Sequence, residues 1–244
     1  MKSEKERLLL ELIHFLSEKF KERLVLEGGM LLRLLGNPRY TQDIDYFFIS
    51  KKSKKELAAE VRKALESLDF VKIISISLNS RGIFCELEGL TPNSGRVMLE
   101  ISVVSSLHTP TEQFSTAALS NQYSLGGRII SVISMPEAFA NKIAACIERN
   151  NLRDLYDLSV FEPLSFFDVD TLLERLEKVS VERKRPRKMT AKEANEVLLK
   201  RANDLTEKRL HDELYPLIPE ENRAGLVLII KAAVMRIAQR IGNL

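Results

Sequence analysis

Cysteine and histidine are scarce in this chain of 244 residues, which has two cysteines, Cys85 and Cys146, and three scattered histidines, His14, His108 and His211. Two thiols exclude a disulfide framework and a four-cysteine zinc site, and three isolated imidazoles argue against a His-rich metal cage. Long apolar runs are missing too: the stretch 226–230 is among the longest, far below the ~20 residues of a membrane span. The opening MKSEKER is charged and leads into an amphipathic stretch, unlike the apolar core of a signal peptide. The expectation is therefore a cytoplasmic protein with no membrane partner. Nor does either sign of charge dominate. Lys and Arg number 37 against 34 Asp and Glu, a net +3, so total charge points only weakly to nucleotides or nucleic acid and position must decide. What is present, 45% apolar and 29% charged residues, suits a folded globule rather than a disordered chain. The length allows one large domain or two small ones.

Apolar periodicity divides the chain into a mixed front half and a helical back half. Residues 4–20 set Leu9, Leu12, Ile13, Leu16 and Phe20 on one helical stripe. A short apolar run at 24–26 predicts a strand turning at Gly28-Gly29, and 30–35 has room for a helical turn or two before Gly36-Asn37-Pro38 stops it. The aromatic and β-branched 44–49 predicts a buried strand. A helix is expected over 53–68, with Ser53 and Glu56 spaced as a capping box. Further strands are expected at 71–78, 83–87, 97–104 and 129–133, the middle two joined by the turn-rich GLTPNSG. Beyond Pro136 the pattern is helical, over 136–149, 152–160, 168–179, 190–209 and 220–241. The fold class is α+β: a mixed sheet with flanking helices in a domain over 1–134, then an all-helical region over 135–244.

The chemistry concentrates in LEGGMLLRLLGNPRYTQDIDYFF, residues 26–48. Asp43 and Asp45, two apart on a strand, point to one face. Such a pair among apolar neighbours is costly unless a positive charge offsets it. A divalent cation does so, and Mg²⁺ typically combines a couple of carboxylates with substrate phosphates; taken alone, the pair also fits a solvated strand start. Gly28-Gly29, between a strand and a helical turn, lets backbone N–H groups approach an anion closely, although a plain turn has the same composition. Together, with Arg39 and Thr41 between them, the two halves describe a phosphate cradle beside a metal pair.

In KIAACIERNNLRDLYDL, residues 142–158, Lys142 and Arg149 lie seven apart, nearly on one helical face. Arg153 follows four further on if the helix survives Asn150-Asn151. These cations could contact a triphosphate, or Arg149, Arg153, Asp154 and Asp157 could form a salt-bridge ladder of little energetic weight.

The pattern GG-x-x-L-x(6)-R-x-T-x-D-I-D resembles the first motif of the DNA polymerase β-type nucleotidyltransferases, and most closely their AbiEii/AbiGii toxin branch in abortive-infection, type IV toxin–antitoxin systems. The second segment is similar to that branch's Lys-x-x-Ala-x-x-x-Arg helix followed by Arg-Asp-x-x-Asp-Leu, here Lys142, Ala145, Arg149, Arg153, Asp154, Asp157 and Leu158. The resemblance implies a nucleotidyltransferase-type sheet. It implies Mg²⁺ or Mn²⁺ on Asp43 and Asp45, a nucleoside triphosphate bound by Gly28, Gly29, Arg39, Thr41, Lys142, Arg149 and Arg153, and a need for Asp154 in catalysis. A base role for Asp154 follows from general-base logic. A third metal carboxylate is also implied; Glu100, set in an apolar strand, is the choice where many relatives carry Asp, with Glu86 and Glu88 competing.

The implied reaction is attack of an acceptor hydroxyl on the α-phosphorus with loss of pyrophosphate. The implied acceptor is RNA, such as a tRNA 3′ end, and a cognate antitoxin is an expected partner. The basic run Arg183, Lys184, Arg185, Arg187 and Lys188 could hold a phosphate backbone or form a solvated linker. Lys51 and Lys52 sit just past the Asp-x-Asp strand, and sequence proximity suggests a second RNA contact near the site. A small-molecule nucleotidyltransferase of the aminoglycoside-modifying kind would need the Gly and Asp residues but not the basic segments. A non-catalytic RNA-binding or regulatory protein of the same fold would have no physical reason to keep so costly an acidic pair. Cys85 and Cys146 read as core thiols, and His14 as a structural histidine rather than a ligand.

Overall fold

In the computed structural model, residues 2–164, 166–179 and 187–244 are described, without the side chains of residues 2 and 3. Contacts divide the chain into two compact units, Met1–Ser134 and Met135–Leu244.

The first unit opens with α1 (Lys2–Phe20), β1 (Leu24–Glu27), α2 (Gly28–Leu34), β2 (Asp43–Ile49) and α3 (Lys54–Leu65). There follow β3 (Val71–Leu78), β4 (Ile83–Gly89), β5 (Arg96–Val104), β6 (Glu112–Ser115), α4 (Ala117–Ser120) and β7 (Ile129–Val132). The strands form one seven-stranded sheet in the order β3-β4-β5-β2-β1-β7-β6. It is mixed: β2 runs parallel to β5 and β1 parallel to β7, and the other neighbours are antiparallel. The expected α1 stripe is fully buried at Leu9, Leu12, Ile13 and Leu16. Its last aromatic, Phe20, packs edge-to-face on Phe48 with ring centroids 5.1 Å apart. The capping box of α3 forms as expected, Ser53 accepting from the Glu56 N–H while Glu56 accepts from the Ser53 N–H.

The β2 strand corrects one expectation. It is not buried throughout; burial alternates, with Ile44, Tyr46 and Phe48 inside and Asp43, Asp45 and Phe47 on the half-exposed face. That alternation leaves the two aspartates together on the face that water and ligands can reach.

The second unit holds α5 (Met135–Glu148), α6 (Leu152–Phe161), α7 (Val169–Leu176), α8 (Ala191–Asn203), α9 (Glu207–Glu213) and α10 (Leu226–Gly242). The expected helix over 190–209 is two helices, because Thr206 takes an extended backbone and caps α9 by accepting from the Arg209 N–H. The one over 220–241 starts at Leu226 instead, since Gly225, at φ 66°, breaks the chain into the left-handed region. Phe139, Phe161, Leu198 and Ile237 are among its fully buried side chains. Among the described residues no helix is long and apolar enough to cross a membrane.

Candidate active site

The β1–α2 turn is shaped by glycine. Gly28 sits at φ +71°, and a Cβ there would lie 2.1 Å from Oδ2 of Asp45. A Cβ on Gly29 would lie 2.8 Å from the Thr41 hydroxyl oxygen and 3.4 Å from the Arg39 guanidinium. The segment from α2 to the start of β2 thus folds Arg39, Thr41 and Asp45 against the glycine pair. Arg39 is buried, with its backbone N–H donating to Asn37 Oδ1 at 2.9 Å and its Nη1 to the Tyr40 carbonyl at 3.3 Å. Behind the turn, Arg33 of α2 donates through Nε and Nη2 to the buried Glu6 carboxylate of α1, and Tyr123 donates to the same carboxylate. This bidentate pair clamps α2, and with it the glycine turn, to α1.

Strand register supplies what spacing does not. Asp45 stands opposite Glu27 across β1 and opposite Glu100 across β5. Three carboxylate-bearing positions therefore lie abreast on adjacent strands roughly 4.8 Å apart, with Asp43 two positions along the same face. Like charges directly opposite are destabilising without an offset. Of the competing acids, Glu86 and Glu88 accept from Arg96 at 3.1 and 3.4 Å, and Glu86 lies opposite Met98. Glu27 was not anticipated; its only sequence signal is its place immediately before Gly28. Lys5 was not anticipated either. Its ammonium donates to Gln42 Oε1 at 3.1 Å, and burial lowers its pKa while the charge of Asp43 opposes that shift.

The hard oxygen donors of Asp43 and Asp45, with the space that Gly28 leaves against Asp45, suit a divalent cation whose remaining positions are filled by phosphate oxygens. Among the described residues no three His, Cys, Asp or Glu side chains converge enough to hold a metal by themselves.

Lys51 and Lys52 do not lie near the aspartates. They follow Ile49 at the far end of β2, itself about 13 Å along the strand from Asp45 at 3.3 Å per residue, and Lys52 pairs with Glu60. Arg187 and Lys188 are exposed and paired with Glu193 and Glu177 at 3.0 and 2.6 Å. Arg183, Lys184 and Arg185 lie outside the described residues.

In the second unit the chain breaks between α5 and α6, where Asn151 caps α6 by accepting from the Arg153 N–H. Arg153 is consequently exposed at the start of a new helix and does not continue the face of Lys142 and Arg149. The break folds α6 back so that the cations of α5 meet its acids. Asp154, 2% exposed, accepts from Arg149 through Nε at 2.7 Å and Nη2 at 3.0 Å, and from Lys142 at 3.4 Å. Lys142 also donates to the buried Asp157 at 2.7 Å. The cluster is neither a one-helix ladder nor a row of unpaired cations. Burial raises the Asp154 pKa, but the Lys142 charge and the Arg149 bonds outweigh it and hold the carboxyl below its ordinary value. A carboxylate so engaged is a weak proton acceptor and a firm anchor for two cations.

Three comparisons bear on this geometry. A sequence model of the family described as the nucleotidyl transferase AbiEii toxin of type IV toxin–antitoxin systems matches residues 12–226. Comparison with curated proteins gives no match. Among solved structures, the chain is similar to MenT4, a nucleotidyltransferase toxin of Mycobacterium tuberculosis H37Rv, at 20% identity and a TM-score of 0.67, covering 98% of this chain and 83% of that one. It is also similar to JHP933 of Helicobacter pylori, at 19% identity and a TM-score of 0.60 over 98% of this chain and 90% of the other. A third, an antigenic nucleotidyltransferase-like protein of Paracoccidioides brasiliensis, is 15% identical with a TM-score of 0.50 over 88% and 94%. At these identities the structural likeness shows a shared fold, and the family match covers most of the sequence. The chain belongs to the AbiEii family of nucleotidyltransferase toxins of type IV toxin–antitoxin systems.

Proposed function

We propose that this toxin transfers a nucleotide from a nucleoside triphosphate to an RNA acceptor, such as the 3′ end of a tRNA, with Mg²⁺ or Mn²⁺ bound by Asp43 and Asp45. One observation carries the reading: the glycine turn lies directly against the Asp45 carboxylate, so a phosphate cradle and an acidic pair share one surface. In this reading the acceptor oxygen bonds to the α-phosphorus, the α–β phosphoanhydride bond breaks, and pyrophosphate leaves. The backbone N–H groups of Gly28 and Gly29 hold the terminal phosphates, with Arg39 and Thr41 at the rim of the turn. When bound, the cation neutralises charge on the phosphates and orients the displacement. Glu100, next to Asp45 in register, extends the acidic row toward that cation. Lys142, Arg149 and Arg153 are assigned phosphate contacts on the family pattern. Asp154 is needed because it holds Lys142 and Arg149; this replaces the base role expected from sequence. Lys51, Lys52, Arg187 and Lys188 are assigned to the RNA backbone, at a distance from the chemistry in the case of the first two.

The test is incubation of the purified chain with each labelled nucleoside triphosphate, Mg²⁺ and total RNA. Label on RNA is the expected result. Label on small molecules alone would support an aminoglycoside-type activity instead, and no label together with no nucleotide binding would leave a non-catalytic protein of this fold.

A further inference from the structure

The row that contains Asp45 does not end at Glu100. Glu100 stands opposite Phe84 of β4, and Phe84 stands opposite Ser77 of β3. Glu27, Asp45, Glu100, Phe84 and Ser77 therefore line up across five neighbouring strands, in the order β1-β2-β5-β4-β3. Side chains directly opposite one another share a face of the sheet. Burial agrees: Ile83 and Cys85, on either side of Phe84, are fully buried, whereas Phe84 is half-buried, as Asp45 and Glu100 are. An aromatic ring thus stands two strands, about 10 Å, from Asp45. Met98, also half-buried, is its diagonal neighbour on β5, within reach of an aromatic side chain. On the other side of the ring, Ser77 and Ser75 of the edge strand β3 are exposed. Among the described residues Phe84 packs on no other aromatic ring. A cation and phosphates require only charged and polar groups. A half-exposed ring and thioether at the end of the acidic row, with hydroxyls beside them, suit a flat ligand with an apolar face and polar edges. A nucleobase has that chemistry.

The direction of the row selects which base. The inference rests on the nucleotidyl-transfer reading above, in which Gly28 and Gly29, at the β1 end, hold the terminal phosphates. In that displacement the attacking and leaving oxygens lie roughly in line across the α-phosphorus. Pyrophosphate leaves toward β1, so the acceptor oxygen arrives from the side of β5 and β4. The sugar of the incoming nucleotide is joined to the α-phosphorus through another oxygen, off that line. We propose that Phe84, backed by Met98, is the stacking platform for the terminal base of the acceptor, with Ser77 beside it for the polar edge of that base. The ring positions the nucleoside that carries the attacking hydroxyl and does not touch the triphosphate. It therefore governs acceptor affinity and leaves nucleotide affinity alone. Stacking accepts any base, so the platform holds the end of the acceptor without reading its sequence.

The probe is a short oligoribonucleotide with 5-iodouridine as its 3′-terminal base. Irradiated in complex with the full-length protein, it should crosslink at Phe84, as read by mass spectrometry of the digested complex. Phe84→Leu keeps apolar bulk and should leave the thermal melt unchanged, yet lower affinity for the oligoribonucleotide about tenfold in fluorescence anisotropy. Phe84→Tyr, which keeps the ring, should retain the parent affinity. Calorimetry with nucleoside triphosphate and Mg²⁺ should give the same Kd for the parent and both variants. A crosslink only at other residues, or a Phe84→Leu variant with full affinity for the oligoribonucleotide, would overturn the platform while triphosphate binding and RNA labelling by the parent still stood. Weaker triphosphate binding by Phe84→Leu would overturn it in favour of a platform for the incoming base. A parent chain that binds no triphosphate would overturn the transfer reading, and this inference with it.

Discussion

Gly28 and Asp45 show how closely the candidate site is built around absent atoms. A methyl group at Gly28 would collide with the Asp45 carboxylate, and the residue's positive φ disfavours any L side chain. Gly28→Ala should therefore lower stability by about 1–2 kcal/mol and abolish nucleotide binding, measured by thermal melting and by calorimetry. Asp43→Asn and Asp45→Asn should lower transfer at least about 100-fold at an unchanged melting temperature, since neither side chain is part of the core. Asp154 is the opposite case. Its replacement by Asn removes the buried charge between Lys142 and Arg149, leaving Lys142 its bond to Asp157 while the exposed Arg149 recovers solvent. The expected loss is about 2 kcal/mol, read by chemical denaturation. Because the folded-state pKa of Asp154 lies below its ordinary value, its contribution is complete above about pH 4 and is lost as pH falls through the folded value. The Asn variant should lack that acid-limb decrement.

Among the elements, α1 reaches furthest beyond its own stripe. His14, on that helix, bonds through Nε2 to Thr116 at 2.8 Å, and Thr116 in turn accepts from the Ser120 hydroxyl and the Arg128 N–H. With its oxygen so used, the Thr116 hydroxyl donates to a neutral imidazole. Burial, and then the Arg128 charge, hold the His14 pKa below 6.5. Its stabilising role is complete above pH 6.5 and is lost as pH falls through the lowered value. Melting temperatures should drop below pH 6.5 in the parent and less in His14→Gln.

How far the elements could be read follows the same local logic. The α1 stripe, the α3 capping box, the Gly-Gly turn and the Asp-x-Asp spacing are encoded within a few residues, and all are present. The β6 strand was missed because EQFS has little strand character of its own and exists through pairing with β7. Polar periodicity runs through residues 204–206 although the backbone breaks there. Glu27 and Lys5 were missed because strand order and helix packing bring them to Asp45 and Asp43 from elsewhere in the sequence. Lys51 was misplaced for the converse reason, since neighbours in sequence at the two ends of a strand are distant in space.

At the scale of the whole molecule, membership of a nucleotidyltransferase toxin family rests on a match across most of the chain, and the proposed chemistry rests on the first unit's acidic row and glycine turn. The residues assigned to RNA should make acceptor affinity fall steeply with salt. Lys51→Glu and Lys52→Glu should weaken RNA binding in a filter-retention assay without altering nucleotide affinity, because they lie at the far end of β2. The central claim is that Asp43 and Asp45 hold a cation-bound triphosphate against Gly28 and Gly29. Isothermal titration calorimetry with nucleoside triphosphate and Mg²⁺ tests it most directly. Saturable binding by the parent chain that disappears in Asp43→Asn and Asp45→Asn is the predicted result; a flat titration of the parent with all four nucleotides, or binding untouched by either substitution, would contradict it.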